Sequence, residues 1–130
     1  MFFDTNVIIK YLTPDCDENL FQLIAKNSLK GAAYISGIVF SEVLAYQGYD
    51  DTQAKDIEKF LKDNFIIYDI SEKVLVEASR VARDKKKETS KKLKLTDAMI
   101  IATAILNNKD LLTFDREDFK QIKDLKLFKL

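Results

Sequence analysis

Short apolar segments beginning at Phe2, Ala32, Phe65 and Asp110 alternate with helical patterns, mostly of ten residues or more, and this alternation restricts the chain more than any single residue does. Strands joined by crossovers of that length pair in parallel, and the helices then cover both faces of the sheet. Phe2 to Thr5 reads as a short buried strand, followed by one or two helical turns from Val7 to Leu12 that stop before Pro14. Asp17 to Leu29 carries Leu20, Phe21, Ile24 and Ala25 on one stripe of an amphipathic helix, with Gly31 as its stop. Ala32 to Ile35 is a second strand, and Ser36 is placed to cap a helix running through Tyr46. Further helices are expected over Thr52 to Asp63, Ser71 to Lys85, Thr96 to Leu106 and Glu117 to Ile122. Strands are expected over Phe65 to Tyr68, Asp110 to Phe114 and Leu125 to Phe128. The expectation is one α/β domain over residues 1–130, an α/β/α sandwich around a mainly parallel sheet of about five strands.

Composition then removes whole classes of chemistry. The chain has no histidine, so the commonest general base, Ser-His-Asp and Cys-His nucleophiles and imidazole-bound zinc are all absent. Cys16 is the single cysteine, which excludes internal disulfides and multi-cysteine metal sites and favours a reducing compartment. Lys+Arg and Asp+Glu are 21 each, so any attraction for a polyanion must come from local clustering rather than from net charge. The N-terminal apolar stretch is broken by Asp4 and Asn6, unlike a secretory leader, and no apolar run reaches membrane-spanning length. A cytoplasmic protein without membrane contact is the expectation.

Four acids, far apart in sequence, are expected at one edge of such a sheet. Asp4 closes the first strand and Asp115 follows the fourth, while Glu42 lies about two turns into the helix that leaves the second strand. Asp97 opens the helix that runs back towards the fourth strand. Ligands of parallel α/β sheets bind at the carboxyl ends of the strands, where strand order reverses. Carboxylates crowded there repel one another unless a cation compensates or one of them keeps a proton. A hard divalent ion such as Mg2+ or Mn2+, which takes oxygen ligands and retains water, meets that need without histidine or cysteine. Each acid also has a plainer reading: Asp97 as a favourable charge at a helix start, Asp4 as a turn former, Asp115 as a solvated loop residue. Glu42 is hardest to explain that way, because a lone charge in an apolar helix is costly without a partner.

Taken together, D-T-N-V at Asp4 to Val7, S-E-V at Ser41 to Val43, L-T-D-A-M-I-I-A-T-A at Leu95 to Ala104 and L-L-T-F-D-R-E-D-F at Leu111 to Phe119 resemble the ordered motifs of PIN domains. The likeness is greatest to the VapC-type toxins of toxin–antitoxin pairs and spans essentially the whole chain. It implies a Rossmann-like fold, metal-dependent endonucleolytic cleavage of RNA, a homodimer and a small antitoxin partner. Carried over by position, Asp4, Glu42 and Asp97 match the three principal acids and Asp115 the fourth, with Asp118 as an alternative fourth acid. Thr5, Asn6 and Thr113 match the small polar residues that orient those acids.

The run from Lys85 to Lys94 is more basic than the resemblance requires. Lys91, Lys92 and Lys94, together with Arg116, are candidates for RNA phosphate contacts, set against the simpler reading of a solvated lysine-rich loop. Tyr46 and Tyr49 are candidates for base stacking or for packing. A phospho-acceptor domain is disfavoured because Asp4 has no adjacent acid, and a D-x-D-x-T phosphatase because Asn6 stands where the second acid would be. The remaining alternative is a PIN-like module that binds without cutting.

Overall fold

A computed structural model describes all residues 1–130. Four strands, β1 (Phe2–Phe3), β2 (Tyr34–Ser36), β3 (Ile66–Tyr68) and β4 (Leu111–Leu112), form one parallel sheet in the order β3-β2-β1-β4. Seven helices connect and cover it: α1 (Thr5–Tyr11), α2 (Glu18–Leu29), α3 (Gly37–Leu44), α4 (Asp51–Asn64), α5 (Glu72–Thr89), α6 (Leu95–Leu106) and α7 (Arg116–Phe119). The first three strands step outward in one direction. The chain then returns through α5 and α6 to lay β4 on the opposite side of β1, so strand order reverses between β1 and β4.

Local chemistry accounts for most of the boundaries. Asp17, Asp50 and Ser71 each cap the following helix by accepting a backbone N–H, and Asp50 forms a reciprocal capping box with Gln53. Ser36 does the same for α3 through the Val39 amide, as its position in the sequence implied. Helix α5 runs past the expected end at Lys85 to Thr89, stopping where Ser90 takes a left-handed conformation, φ 60°. The first part of the lysine run is therefore helix rather than loop.

Alternation along β1 sends its two rings to opposite faces. Phe2 packs with Tyr34 and Tyr68 at centroid distances of 5.3 and 5.0 Å, while Phe3 meets Phe65 edge-on at 6.2 Å. A single cluster of 24 buried residues joins these faces to the helices, with Val39 and Val43 of α3 and Ile100, Ile101 and Ala104 of α6 among its members. Helix α6 is buried on most sides, as its composition predicts.

The fifth strand expected at Leu125 to Phe128 is reduced to one parallel bridge, Leu111 to Leu127. Gln121 and Asp124 adopt left-handed conformations, φ 62° and 69°, which coil the chain before it reaches the sheet. Only two backbone hydrogen bonds follow, Leu111 N–H to the Lys126 carbonyl and Phe128 N–H to the Leu111 carbonyl, each 2.9 Å. No helix is long and apolar enough to cross a membrane.

Because Ile101 is fully buried in the helix that carries Asp97, Ile101→Ala is expected to cost about 2–5 kcal/mol. Urea denaturation checks this as a lowered midpoint at unchanged slope.

Candidate acidic site at the switch point

Asp4 directly follows β1 and Thr113 directly follows β4, so the strand-order reversal places them side by side; the Asp4 amide bonds the Leu112 carbonyl at 2.9 Å. Asp4 is buried, with only 4% of its surface exposed. One of its oxygens, Oδ1, accepts the Thr5 amide at 2.7 Å and thereby caps α1, and the other, Oδ2, accepts the Thr113 hydroxyl at 2.6 Å. The turn-forming and site-forming readings of Asp4 are thus compatible.

The network extends from there in both directions. Thr5 donates its hydroxyl to Glu42 Oε1 at 2.6 Å, made possible because α1 packs against α3. On the other side, the Thr113 hydroxyl that donates to Asp4 accepts the Asp115 amide at 3.0 Å. Asn6 closes the arrangement by donating from Nδ2 to Asp115 Oδ2 at 3.1 Å and accepting the Phe114 amide at 3.4 Å. Glu42, Thr5, Asp4, Thr113, Asp115 and Asn6 therefore form one connected chain of contacts across three segments that are remote in sequence.

Asp97 stands in the first turn of α6, which packs against α3, and it joins the others through charge rather than hydrogen bonds. Burial pushes its carboxyl up to about 6, the charges of Asp4, Glu42 and Asp115 add to the rise, and Lys94 opposes it. Burial likewise raises Asp4, against the lowering effect of its bonds from Thr113 and Thr5, and Asp115 and Glu42 raise it further. The acids feel one another as like charges in a poorly solvated place.

That electrostatic environment decides what such a site can hold. The donor set is entirely oxygen, and its carboxylates are short of positive charge, which suits a hard divalent cation. As the side chains lie, no three carboxylates are drawn into a tight shared cage. An ion that keeps several of its waters fits this spacing better than one requiring a full set of protein ligands.

The other residues singled out in the sequence divide. The Asp118 side chain lines a neighbouring cavity with Asp97 and several lysines and makes no hydrogen bond to the Asp4 network, whereas the Asp115 carboxylate is tied into it through Asn6. Lys91, Lys92 and Lys94 line that same cavity. Arg116 donates to the Phe128 carbonyl at 2.7 Å and so pins the C-terminal segment. Tyr46 and Tyr49 pack on each other edge-on at 5.2 Å. One residue was missed by sequence reasoning: Lys85 is buried, with 6% of its surface exposed, and it walls the cavity beside Asp97. Its position on the inward stripe of α5 with Val74, Ala78 and Val81 was the available signal.

The chain belongs to the PIN domain family, whose sequence profile matches residues 1–125. PIN domains are generally nucleases and generally use divalent metals. No curated protein matches the chain by sequence. Among solved structures, it is similar to a chain of the VapBC2 complex from Rickettsia felis bound to a promoter DNA fragment, with 20% identity over 99% of this chain and 97% of that one and a TM-score of 0.81. A chain of FitAcB from Neisseria gonorrhoeae matches at 23% identity, covering 98% and 96% of the two chains, with a TM-score of 0.76. A chain of a toxin–antitoxin complex from Klebsiella pneumoniae matches at 27% identity, covering 99% and 98%, with a TM-score of 0.67.

The raised Asp97 carboxyl makes the metal-free protein pH-sensitive. Between about pH 4 and 6 the unfolded chain loses this proton while the folded chain retains it, so folding is progressively penalised as pH rises and the penalty is complete above about 6. Asp97→Asn removes the penalty. The Tm difference between Asp97→Asn and wild type, measured with chelator present, should grow from near zero at pH 4 to a clear stabilisation at pH 7; a difference that does not change with pH would refute this account.

Proposed function

We propose that this protein is a metal-dependent endoribonuclease and the toxin of a toxin–antitoxin pair, with Asp4, Glu42, Asp97 and Asp115 as its metal-binding and catalytic acids. The observation that carries the reading is the hydrogen-bonded chain from Glu42 through Thr5, Asp4 and Thr113 to Asp115, with Asp97 electrostatically joined to it. A PIN-family chain that retains this acidic constellation at the strand-order switch has the means for phosphodiester hydrolysis and no histidine to perform it otherwise.

Mg2+ or Mn2+, when bound, supplies an acidified water and neutralises charge on the phosphate oxygens. Asp4, Glu42 and Asp97 would hold the ion, with Asp115 beside them. Thr5 and Thr113 fix the rotamers of Glu42 and Asp4 by donating to them, and Asn6 fixes Asp115, so the oxygens are oriented before substrate arrives. Asp97 has no such donor and its carboxyl is raised to about 6, which makes it the acid whose protonation on mild acidification would weaken the site first. A small antitoxin as partner, and assembly as a homodimer, are part of the same proposal; the similar Klebsiella pneumoniae structure is itself a toxin–antitoxin complex.

Incubation of the purified protein with single-stranded RNA, with Mg2+ or Mn2+ and with chelator, tests the proposal. Cleavage should require the metal, and Asp97→Asn and Glu42→Gln should each abolish it while circular dichroism remains that of wild type. RNA left intact by the wild type under all these conditions, or full activity in either variant, would overturn it; the former outcome belongs to a PIN-fold binding module.

Thr113→Val should reduce metal affinity about 10- to 100-fold, because it removes the donor to Asp4 and the acceptor for Asp115 together. Calorimetric titration with Mn2+ measures it, and unchanged affinity would show that Thr113 does not position the acids.

A further inference from the structure

Two depressions meet at the corner where α5 gives way to α6, and Asp97 lines one of them. The first is a cavity of about 170 Å3 walled by Lys85, Lys91, Lys92 and Lys94, with the carboxylates of Asp97 and Asp118 also lining it. The second is an open groove of about 520 Å3. Ala82, Leu93 and Leu95 supply its apolar lining, Arg83, Lys86 and Lys87 lie around them, and no acid lines it. Lys92 and Leu93 border both, so the depressions adjoin each other.

Several features of this corner are unexplained by folding. Lys85 is buried yet pairs with no carboxylate; its ammonium, with three donors, reaches only the Lys120 carbonyl at 3.3 Å. Leu95, an apolar residue at the start of α6, leaves 54% of its surface exposed. Helix α6 begins at Lys94 with no side chain capping its first amides, which then favour an anion in the adjoining space. Four lysines against two acids give the cavity a positive excess in a chain with no net charge.

We propose that this corner is a nucleotide subsite: the cavity binds the phosphate next to the one being cleaved, and the groove receives the base attached to it. The inference rests on the ribonuclease reading and extends it to the substrate, making the α5–α6 corner a determinant of which RNA is held. Phosphate oxygens match the lysine ammonium groups, and a base has an apolar face for Leu93 and Leu95 and lies within reach of Arg83. An RNA strand is favoured over an acidic peptide because the groove adjoins the lysine cavity, which the Asp97 carboxylate also lines. A strand whose phosphodiester lies at Asp97 can place its next phosphate in the cavity and the attached base in the groove.

The test is binding of a fluorescent single-stranded RNA 12-mer to the intact protein in chelator, where cleavage cannot intervene. Lys91→Ala/Lys92→Ala changes two exposed side chains and should weaken binding at low salt and reduce the slope of log Kd against log salt by about 1.4, two contacts at about 0.7 each. Lys26→Ala/Lys30→Ala, exposed on α2, removes the same charge elsewhere and should leave the slope unchanged. Leu95→Asn should weaken intact RNA roughly tenfold and leave binding of an abasic ribose-phosphate oligomer unaltered. An unchanged slope in Lys91→Ala/Lys92→Ala, or equal losses from the two lysine pairs, would overturn the subsite. If wild type still cleaves RNA in that event, the nuclease proposal survives it. Wild type that neither binds nor cleaves RNA would remove both.

Discussion

The buried carboxylate of Asp4 is the interaction on which the arrangement of the site depends. A carboxylate removed from water is costly unless donors compensate it, and here the donors come from two places at once. The Thr5 amide ties it to the start of α1, and the Thr113 hydroxyl ties it to the end of β4. Since β1 and β4 are neighbours only because the chain crosses back after β3, this side chain joins the first residues of the protein to residues more than a hundred positions later. The surrounding polar network follows from satisfying that charge.

Hydroxyls are suited to this task because each both donates and accepts. Thr113 gives its proton to Asp4 and takes one from the Asp115 amide, which fixes where the loop after β4 turns. Thr5 uses its amide for Asp4 and its hydroxyl for Glu42. The two threonines thereby link three acids into one network, while Asp97 joins from α6 without a comparable anchor. The unequal treatment of the acids separates their proton affinities, with Asp97 lifted to about 6. Gathering buried carboxylates at this edge of the sheet costs stability, and the single contiguous core bears that cost.

The basic corner beside Asp97 complements this arrangement. Gathered acids repel a polyanion, and the lysines at the end of α5 and the start of α6 provide positive charge beside Asp97. Among these lysines Lys85 alone is buried, in an inward position that an aliphatic residue would fill at less cost.

The sequence by itself determined the alternation of elements, the helix caps and the parallel sheet, because these depend on period, length and local hydrogen bonding. Ser36 acted as a cap where expected, and Asp4, Glu42 and Asp97 were identifiable as charges in apolar surroundings. Only the tertiary structure decided what those charges touch. That Thr113 would serve Asp4, that Asp115 rather than Asp118 would join the Asp4 network, and that Lys85 would turn inward depend on strand order and helix packing between distant segments. The fifth strand failed for a similar reason: its residues suit a strand, but left-handed turns at Gln121 and Asp124 leave too little extended chain to pair. Local propensity is written in neighbouring residues, whereas contacts across a hundred positions exist only once the core has closed.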